Sequence, residues 1–163
     1  KDRISIRGGS NGGLLMGALL TQRPDLVRVV VSWVGIYDML RFETDPNGAF
    51  NVTEFGTVKN EEQFRALHAY SPYHHVKDGT AYPPVMLLTG ANDVRVAPWN
   101  SHKMVARLQA ATSSEAPILE RIAMSSGHGM GTALDARVEE YTDAFTFLLH
   151  ELGIDAPPAS AGK

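Results

Sequence analysis

The sequence contains no cysteine, and this absence excludes several kinds of chemistry. Without thiols the chain forms no disulfide bond, uses no cysteine nucleophile and binds no metal through cysteine. Such a chain is compatible with a reducing or an oxidising compartment, so the sequence leaves the cytoplasm, the periplasm and the cell exterior equally open. It also lacks an apolar run of the length that a membrane-spanning helix needs.

Positive charge is scarce as well. The 163 residues include 15 Lys and Arg against 18 Asp and Glu, which gives a formal net charge of −3. We therefore expect neither a nucleic-acid surface nor a polybasic membrane surface. The hydrophobic content of 44% and the charged content of 20% are typical of a soluble globular protein, and the length suits one domain.

A glycine-rich stretch at residues 7–13 carries the pattern Gly-x-Ser-x-Gly around Ser10. It lies between a strand predicted for residues 3–8 and a helix predicted for residues 11–22. Strand, tight turn and helix around this pattern form the nucleophile elbow of an α/β-hydrolase, in which the serine adopts a strained backbone conformation. We expect side chains at Gly8 and Gly12 to collide with the neighbouring strand and helix.

Strands and helices alternate along the rest of the chain. Further strands are predicted at 27–34, 84–90 and 117–124, helices at 37–42, 60–70, 98–111 and 135–152, and loops at 43–58 and 125–134. This alternation predicts a parallel sheet with helices on both faces. Because an α/β-hydrolase has several strands before its elbow, we interpret residues 1–154 as the C-terminal part of such a domain, incomplete in this chain. Residues 155–163 are predicted to be a flexible tail.

Polar side chains follow three of the predicted strands. Ser10, Asp93 and His128 occur in the order Ser, Asp, His that α/β-hydrolases use. Since working groups gather at the carboxyl ends of parallel strands, this order predicts a catalytic triad. His128 would remove the proton of Ser10, and Asp93 would orient the imidazole. Asp38 is a rival for the acid, but Asp93 follows a later strand, nearer the histidine loop.

The other five of the six histidines do not suggest a metal site. His74 and His75 are adjacent, so they face opposite ways in an extended segment. His68 and His102 lie on predicted helices, and the segment at His150 lacks the second histidine of a zinc-protease motif. We therefore expect no metal and no other cofactor.

Several motifs together make the chain resemble the catalytic domain of the prolyl oligopeptidase family of serine peptidases. They lie, in chain order, at residues 8–15, 22–26, 34–40, 70–72, 93–96 and 127–129. The resemblance extends to about residue 154. It implies Ser10 as the nucleophile, Asp93 as the acid, His128 as the base, and the backbone amide of Asn11 as a donor to the oxyanion hole.

The resemblance also implies a substrate pocket. Arg95 matches the family arginine that binds a carbonyl group of the peptide, and Ile36 and Val96 match apolar walls of the pocket for the residue before the cut. Proline-specific members stack a tryptophan on the substrate proline, whereas the corresponding loop here contains none. Phe50 is the candidate for that stacking role, and Phe55 matches an aromatic position of the pocket.

By the same resemblance, a tyrosine that supplies the second oxyanion donor and a β-propeller that admits only short peptides lie upstream of Lys1. The whole enzyme is expected to cleave short peptides after proline through an acyl-enzyme, whereas this chain alone is expected to be incompetent. Two other functions stay open. One is an esterase or aminoacyl-peptide hydrolase with the same triad. The other is an inactive chain that serves only as an interaction module and self-associates through an exposed sheet edge.

Overall fold

Four parallel strands form one sheet in the computed structural model, which describes residues 3–129 and 132–155. In spatial order they are β1 (Ser5–Gly9), β2 (Val29–Trp33), β3 (Val85–Gly90) and β4 (Ile118–Ala123). Each lies within a residue or two of a segment predicted from its apolar pattern, so the predicted parallel sheet is confirmed. Apart from Asp155, the predicted tail lies outside the described residues.

The α-helices of the described residues are α1 (Asn11–Gln22), α2 (Gly48–Phe55), α3 (Glu61–Tyr70), α4 (Trp99–Ala111) and α5 (Leu134–Glu151). None of them is both long and apolar enough to span a membrane. Helix α3 begins where the sequence predicts, because the side chain of Asn60 accepts a hydrogen bond from the backbone of Gln63 at 3.0 Å. Gly153, at a φ of 65°, ends α5 in the left-handed conformation that glycine favours.

Two predictions for the segment after β2 are wrong. Residues 37–42 form no α-helix, because the buried Asp38 turns the chain by accepting the Leu40 amide at 3.2 Å. The predicted loop at 43–58 contains helix α2, whose Val52 and Phe55 pack against the buried Phe42. Burial of this apolar edge outweighs the loop-forming composition of the residues that precede the helix.

Apolar side chains cover the sheet on both faces, as the alternation of strands and helices predicts. Successive residues of β2 point to opposite faces. Val30 packs with Leu20 of α1 and Met104 of α4, whereas Val31 packs with Phe147 of α5. Helices α1 and α4 therefore share one face of the sheet, and α5 lies on the other.

Strand β1 lies at the edge of the sheet, and no strand in the described ranges pairs with its outer side. Next to this open edge, α5 exposes four large apolar side chains, which we call the α5 stripe: Leu134, Val138, Tyr141 and Phe145. The guanidinium of Arg7 on β1 lies 5.2 Å from the ring centre of Phe145, so the open edge and the stripe adjoin. Together they form one uncovered surface.

Candidate active site

Ser10 occupies the tight turn between β1 and α1. Its φ of 57° and ψ of −120° are sparsely populated for a residue with a side chain. The surrounding backbone fixes this conformation, since the Ser10 amide donates to the Trp33 carbonyl at 2.9 Å and the Leu14 amide donates to the Ser10 carbonyl at 3.1 Å. The hydroxyl therefore stands at the carboxyl end of the sheet, in front of the first turn of α1.

Two glycines allow the strand and the helix to approach this closely. A Cβ on Gly8 would lie 2.5 Å from the carbonyl oxygen of Gly12, and a Cβ on Gly13 would lie 2.6 Å from the Cα of Gly35. The predicted collision at Gly8 is thus confirmed. The one predicted at Gly12 is wrong, because a Cβ there would meet no atom of the described structure within 4 Å. In the first turn of the helix the tight position is Gly13, one residue further on.

These contacts predict how alanine at each of the three glycines changes the melting temperature. Gly8→Ala and Gly13→Ala should each lower the melting temperature by several degrees, because the colliding atoms are backbone and overpacking costs about 1–3 kcal/mol. Gly12→Ala is the matched control, and it should leave the melting temperature unchanged or slightly raised, since alanine favours the helix. Thermal unfolding followed by circular dichroism measures all three. Equal losses in the three variants would contradict the packing argument.

Asp93 lies just beyond β3, where both of its carboxylate oxygens have partners. The residue is 4% exposed. Its Oδ1 accepts the backbone amides of Arg95 at 2.8 Å and Val96 at 2.9 Å, while Oδ2 lies 2.7 Å from Nδ1 of His128. The two backbone bonds orient the carboxylate, so that its second oxygen faces the imidazole.

His128 connects the acid to the serine. Its Nε2 lies 3.0 Å from Oγ of Ser10, while its Nδ1 contacts Asp93. The loop that carries it packs directly on the end of β3, because a Cβ on Gly90 would lie 2.3 Å from the Gly127 carbonyl oxygen. The structure thus brings the three predicted residues into one hydrogen-bonded series, and a base so placed can accept the serine proton.

Asp38, the rival acid, is engaged elsewhere. It is 1% exposed, and it accepts hydrogen bonds from Lys103 and, at 3.1 Å, from Arg41. Burial would raise the pKa of Asp38, but the hydrogen bonds from Lys103 and Arg41 outweigh it and hold that pKa below its ordinary value. This carboxylate joins the segment after β2 to α4, which is a structural role.

Three of the predicted pocket residues meet in one apolar cluster. Ile36 and Val96 are buried there, and Phe55 packs at its border with its ring centre 5.7 Å from that of Phe42. The structure does not bring Phe50 into this cluster. Its side chain is 72% exposed on α2.

Asn11 is the first residue of α1, and its environment includes a contact that the sequence did not predict. The first amides of a helix have no acceptor within the helix, and the helix dipole favours negative charge there. The side-chain Nδ2 of Asn11 donates to Oε1 of Glu54 at 3.1 Å. This bond joins the nucleophile turn to α2. Since residues 43–58 were interpreted as a loop, no sequence signal pointed to Glu54.

A cavity of about 740 Å³ opens beside Ser10 and His128, on the face of the sheet that carries α5. Its walls include Trp33, Val34 and Tyr141, none of which the sequence singled out. Ile36 and Val96 are not part of its lining. Within the described ranges, no three His, Asp or Glu side chains are placed to hold a metal ion.

Comparison with known proteins gives a consistent set of relatives. The model of the prolyl oligopeptidase family matches residues 1–155. The prolyl endopeptidase of Elizabethkingia miricola is 44% identical over 94% of this chain and 22% of its own length. That of Dictyostelium discoideum is 42% identical over 94% of this chain and 21% of its own. A chain from a structural study of two prolyl endopeptidases superposes with a TM-score of 0.91 at 40% identity, over 94% of this chain and 23% of that one. The chain thus spans about a fifth of the length of these relatives.

Proposed function

The chain belongs to the prolyl oligopeptidase family, and from this premise we propose that it carries the catalytic residues of a serine peptidase. The proposed enzyme hydrolyses short peptides on the carboxyl side of proline. The observation that carries the proposal is the hydrogen-bonded series from Ser10 through His128 to Asp93. The relatives from Elizabethkingia miricola and Dictyostelium discoideum are named prolyl endopeptidases, which supports the substrate class.

In the proposed reaction, Nε2 of His128 takes the proton of Ser10 while Oγ attacks the peptide carbonyl carbon. Asp93 holds the imidazole with Nε2 toward the serine and stabilises its charged form. The imidazolium then gives its proton to the departing amine, which leaves an acyl-enzyme. Water, deprotonated by the same imidazole, attacks the ester and releases the second product.

The Asn11 amide is the proposed donor to the oxyanion, because it lies directly after the nucleophile at the start of α1. Ile36, Val96 and Phe55 are the proposed walls for the substrate side chain, and their shared apolar cluster supports this assignment. Phe50, exposed on α2, is proposed to stack on the substrate from outside that cluster. None of these three proposed wall residues lines the cavity beside α5.

We further propose that residues 1–154 are the C-terminal part of a longer peptidase. The rest of that protein, including the remaining hydrolase strands and a β-propeller, would be the partner of this chain. The open edge of β1 and the adjoining α5 stripe support the proposal, because they present unpaired backbone groups and exposed apolar surface on one side of the molecule.

The proposed activity is tested on the full-length protein with a fluorophosphonate, which labels only an activated serine. Labelling should occur in the wild type and disappear in Ser10→Ala. Hydrolysis of a prolyl amide is then compared with that of a simple ester. Hydrolysis of the ester without hydrolysis of the prolyl amide would overturn the peptidase proposal. A wild-type protein that the fluorophosphonate does not label would indicate an inactive interaction module.

Arg95 provides a separate test of the substrate class. Its exposed guanidinium follows Asp93 and offers several donors in a fixed fork. Arg95→Ala should lower kcat/KM for peptide substrates about ten- to hundredfold, as expected for loss of a charged hydrogen bond, and should lower it much less for small esters without that carbonyl. Arg65→Ala, which removes an exposed arginine paired with Glu61, is the control. Equal losses on both substrate classes would contradict substrate binding by Arg95.

A further inference from the structure

Asp45 is a buried carboxyl group that the proposed mechanism does not use. It lies between β2 and α2 and is 6% exposed. Its Oδ2 accepts a hydrogen bond from Nδ2 of Asn100 at 3.1 Å. Its Oδ1 is buried without a hydrogen-bonding partner in the described part of the chain. An unpartnered buried oxygen is costly, and it costs more on an anion than on a neutral acid.

The contacts of Asp45 lead directly to the turn that holds Asp93. The amides of Arg95 and Val96 bind Asp93. The next residue of the turn, Ala97, accepts at its carbonyl the same Asn100 side chain that donates to Asp45. Asp93 therefore holds the turn directly, and Asp45 holds it through Asn100. The position of the turn sets where Asp93 meets the imidazole and where Arg95 and Val96 face the substrate.

Asn100 extends this contact to the segment after β2. Its Oδ1 accepts the backbone amide of Tyr37 at 3.3 Å, and its Nδ2 binds both Asp45 and the Ala97 carbonyl. The side chain is 1% exposed. The Asp45–Asn100 pair thus joins the turn after β3 to the segment that carries Ile36, the other wall of the proposed pocket.

The charges around Asp45 oppose its ionisation. Burial, together with the negative charges of Asp93 and Asp38, raises its pKa to about 6. The cations Lys103 and Arg41, on α4 and on the same connecting segment, are bound to Asp38. Because the folded protein holds this proton more tightly than the unfolded chain does, native stability falls as the pH rises from about 4 to about 6.

We propose that Asp45 is a positioning residue of the active site, which holds the Asp93 turn best as a neutral acid and loosens it on becoming an anion. The inference rests on the proposed function, since the affected turn carries the acid and the substrate residues. Ionisation adds a negative charge beside Asp93 and leaves a charged Oδ1 without a partner. The Asp93 turn, which Asp45 holds through Asn100, then absorbs the strain.

The variant Asp45→Asn tests this on the full-length protein. Its side chain keeps the shape of the acid and an oxygen acceptor for Asn100, and it cannot ionise. The measured quantity is the rate of fluorophosphonate labelling of the variant divided by that of the wild type, across the pH range. This ratio should be near one at about pH 5 and should rise about threefold or more by about pH 8, because small displacements of catalytic groups change rates strongly.

Asp78→Asn is the matched control, since Asp78 is an exposed carboxylate paired with Arg107. Its labelling ratio should stay flat with pH. A flat ratio for Asp45→Asn would overturn the positioning role, even if its melting temperature exceeded that of the wild type above pH 6. A wild type that is not labelled at any pH would instead contradict the proposed function, so the two failures are distinguishable.

A second measurement needs no variant and no activity. Hydrogen exchange of the wild-type segment 93–98, corrected for the intrinsic pH dependence of exchange, reports how firmly the turn is held. Its protection should fall at least about threefold between about pH 5 and about pH 8, while the strand β3 should keep its protection. Unchanged protection in the turn would contradict the proposal, whether or not Asp45→Asn folds.

Discussion

Replacing Ser10, His128 or Asp93 in the full-length protein is expected to abolish nearly all turnover of a prolyl amide. Ser10→Ala, His128→Ala and Asp93→Asn should each lower kcat by about 10⁴-fold or more, as in other triad enzymes. The reason lies in the geometry of the series. Oγ of Ser10 lies 3.0 Å from Nε2 of the base His128, and Nδ1 of His128 lies 2.7 Å from the carboxylate of Asp93 that orients it. Asp93→Asn would place an amide against Nδ1 and favour the wrong tautomer of His128.

The combined variants sharpen this test. Because the three groups act on one proton transfer, kcat of the triple variant should be little lower than kcat of Ser10→Ala alone. The loss should be far smaller than the product of the three single losses. Single-turnover kinetics with active-site titration separates such a loss from misfolding. Near-normal turnover of His128→Ala would show that another group is the base.

Two control variants use side chains outside the series. His102→Ala removes an exposed imidazole that binds Glu120, and it should leave kcat within about threefold because the residue lies outside the proton-transfer series. Asp38→Asn weakens the buried contacts with Lys103 and Arg41, so it should lower the melting temperature while kcat of the folded protein falls much less than in Asp93→Asn. A collapse of kcat in Asp38→Asn would favour the rival acid.

Much of the fold and the site could be predicted because their signals are local. The glycine pattern around Ser10 predicts the elbow, since only a residue without a side chain fits at Gly8. Continuous apolar runs predict β2 and β3, because a strand that is buried on both faces has no regular polar positions. The positions of Asp93 and His128 follow from the ends of their strands and from parallel topology.

The parts that were missed depend on contacts between residues far apart in the chain. Helix α2 forms where Pro46, Asn47 and Gly48 favour a loop, because the apolar side of the helix packs on Phe42. The bond from Asn11 to Glu54 spans 43 residues, and the one from Asn100 to Asp45 spans 55. No local pattern encodes such a pair, and each changes how the site is held.

The second large effect is expected for residues 1–163 expressed alone. This chain should hydrolyse a prolyl amide at least about 10²–10³-fold more slowly than the full-length protein, the usual cost of one missing oxyanion donor. In α/β-hydrolases one donor follows the nucleophile and the other comes from an element ahead of the elbow. The chain contains the first, the amide of Asn11, and in the described residues the strand ahead of the elbow is β1.

The uncovered surface adds a geometric reason for the loss. No strand of the described residues covers the outer edge of β1, which carries the nucleophile turn. The α5 stripe beside this edge exposes large apolar side chains. Burial of such surfaces stabilises association. We therefore expect residues 1–163 to self-associate at micromolar concentration, which analytical ultracentrifugation measures alongside the hydrolysis rate.

Point variants of the isolated chain decide whether this surface drives the association. Val138→Glu and Phe145→Glu place charges within the α5 stripe, so they should shift the chain toward monomer. Leu15→Glu is the matched control, because Leu15 is 63% exposed on α1, across the sheet from α5, and it should leave the association unchanged. If all three variants dissolved the oligomer equally, general solubility and not the stripe would be the cause. The wild-type chain could instead be monomeric and hydrolyse a prolyl amide as fast as the full-length protein does. That result would show that β1 and Asn11 need no further element to form a working site.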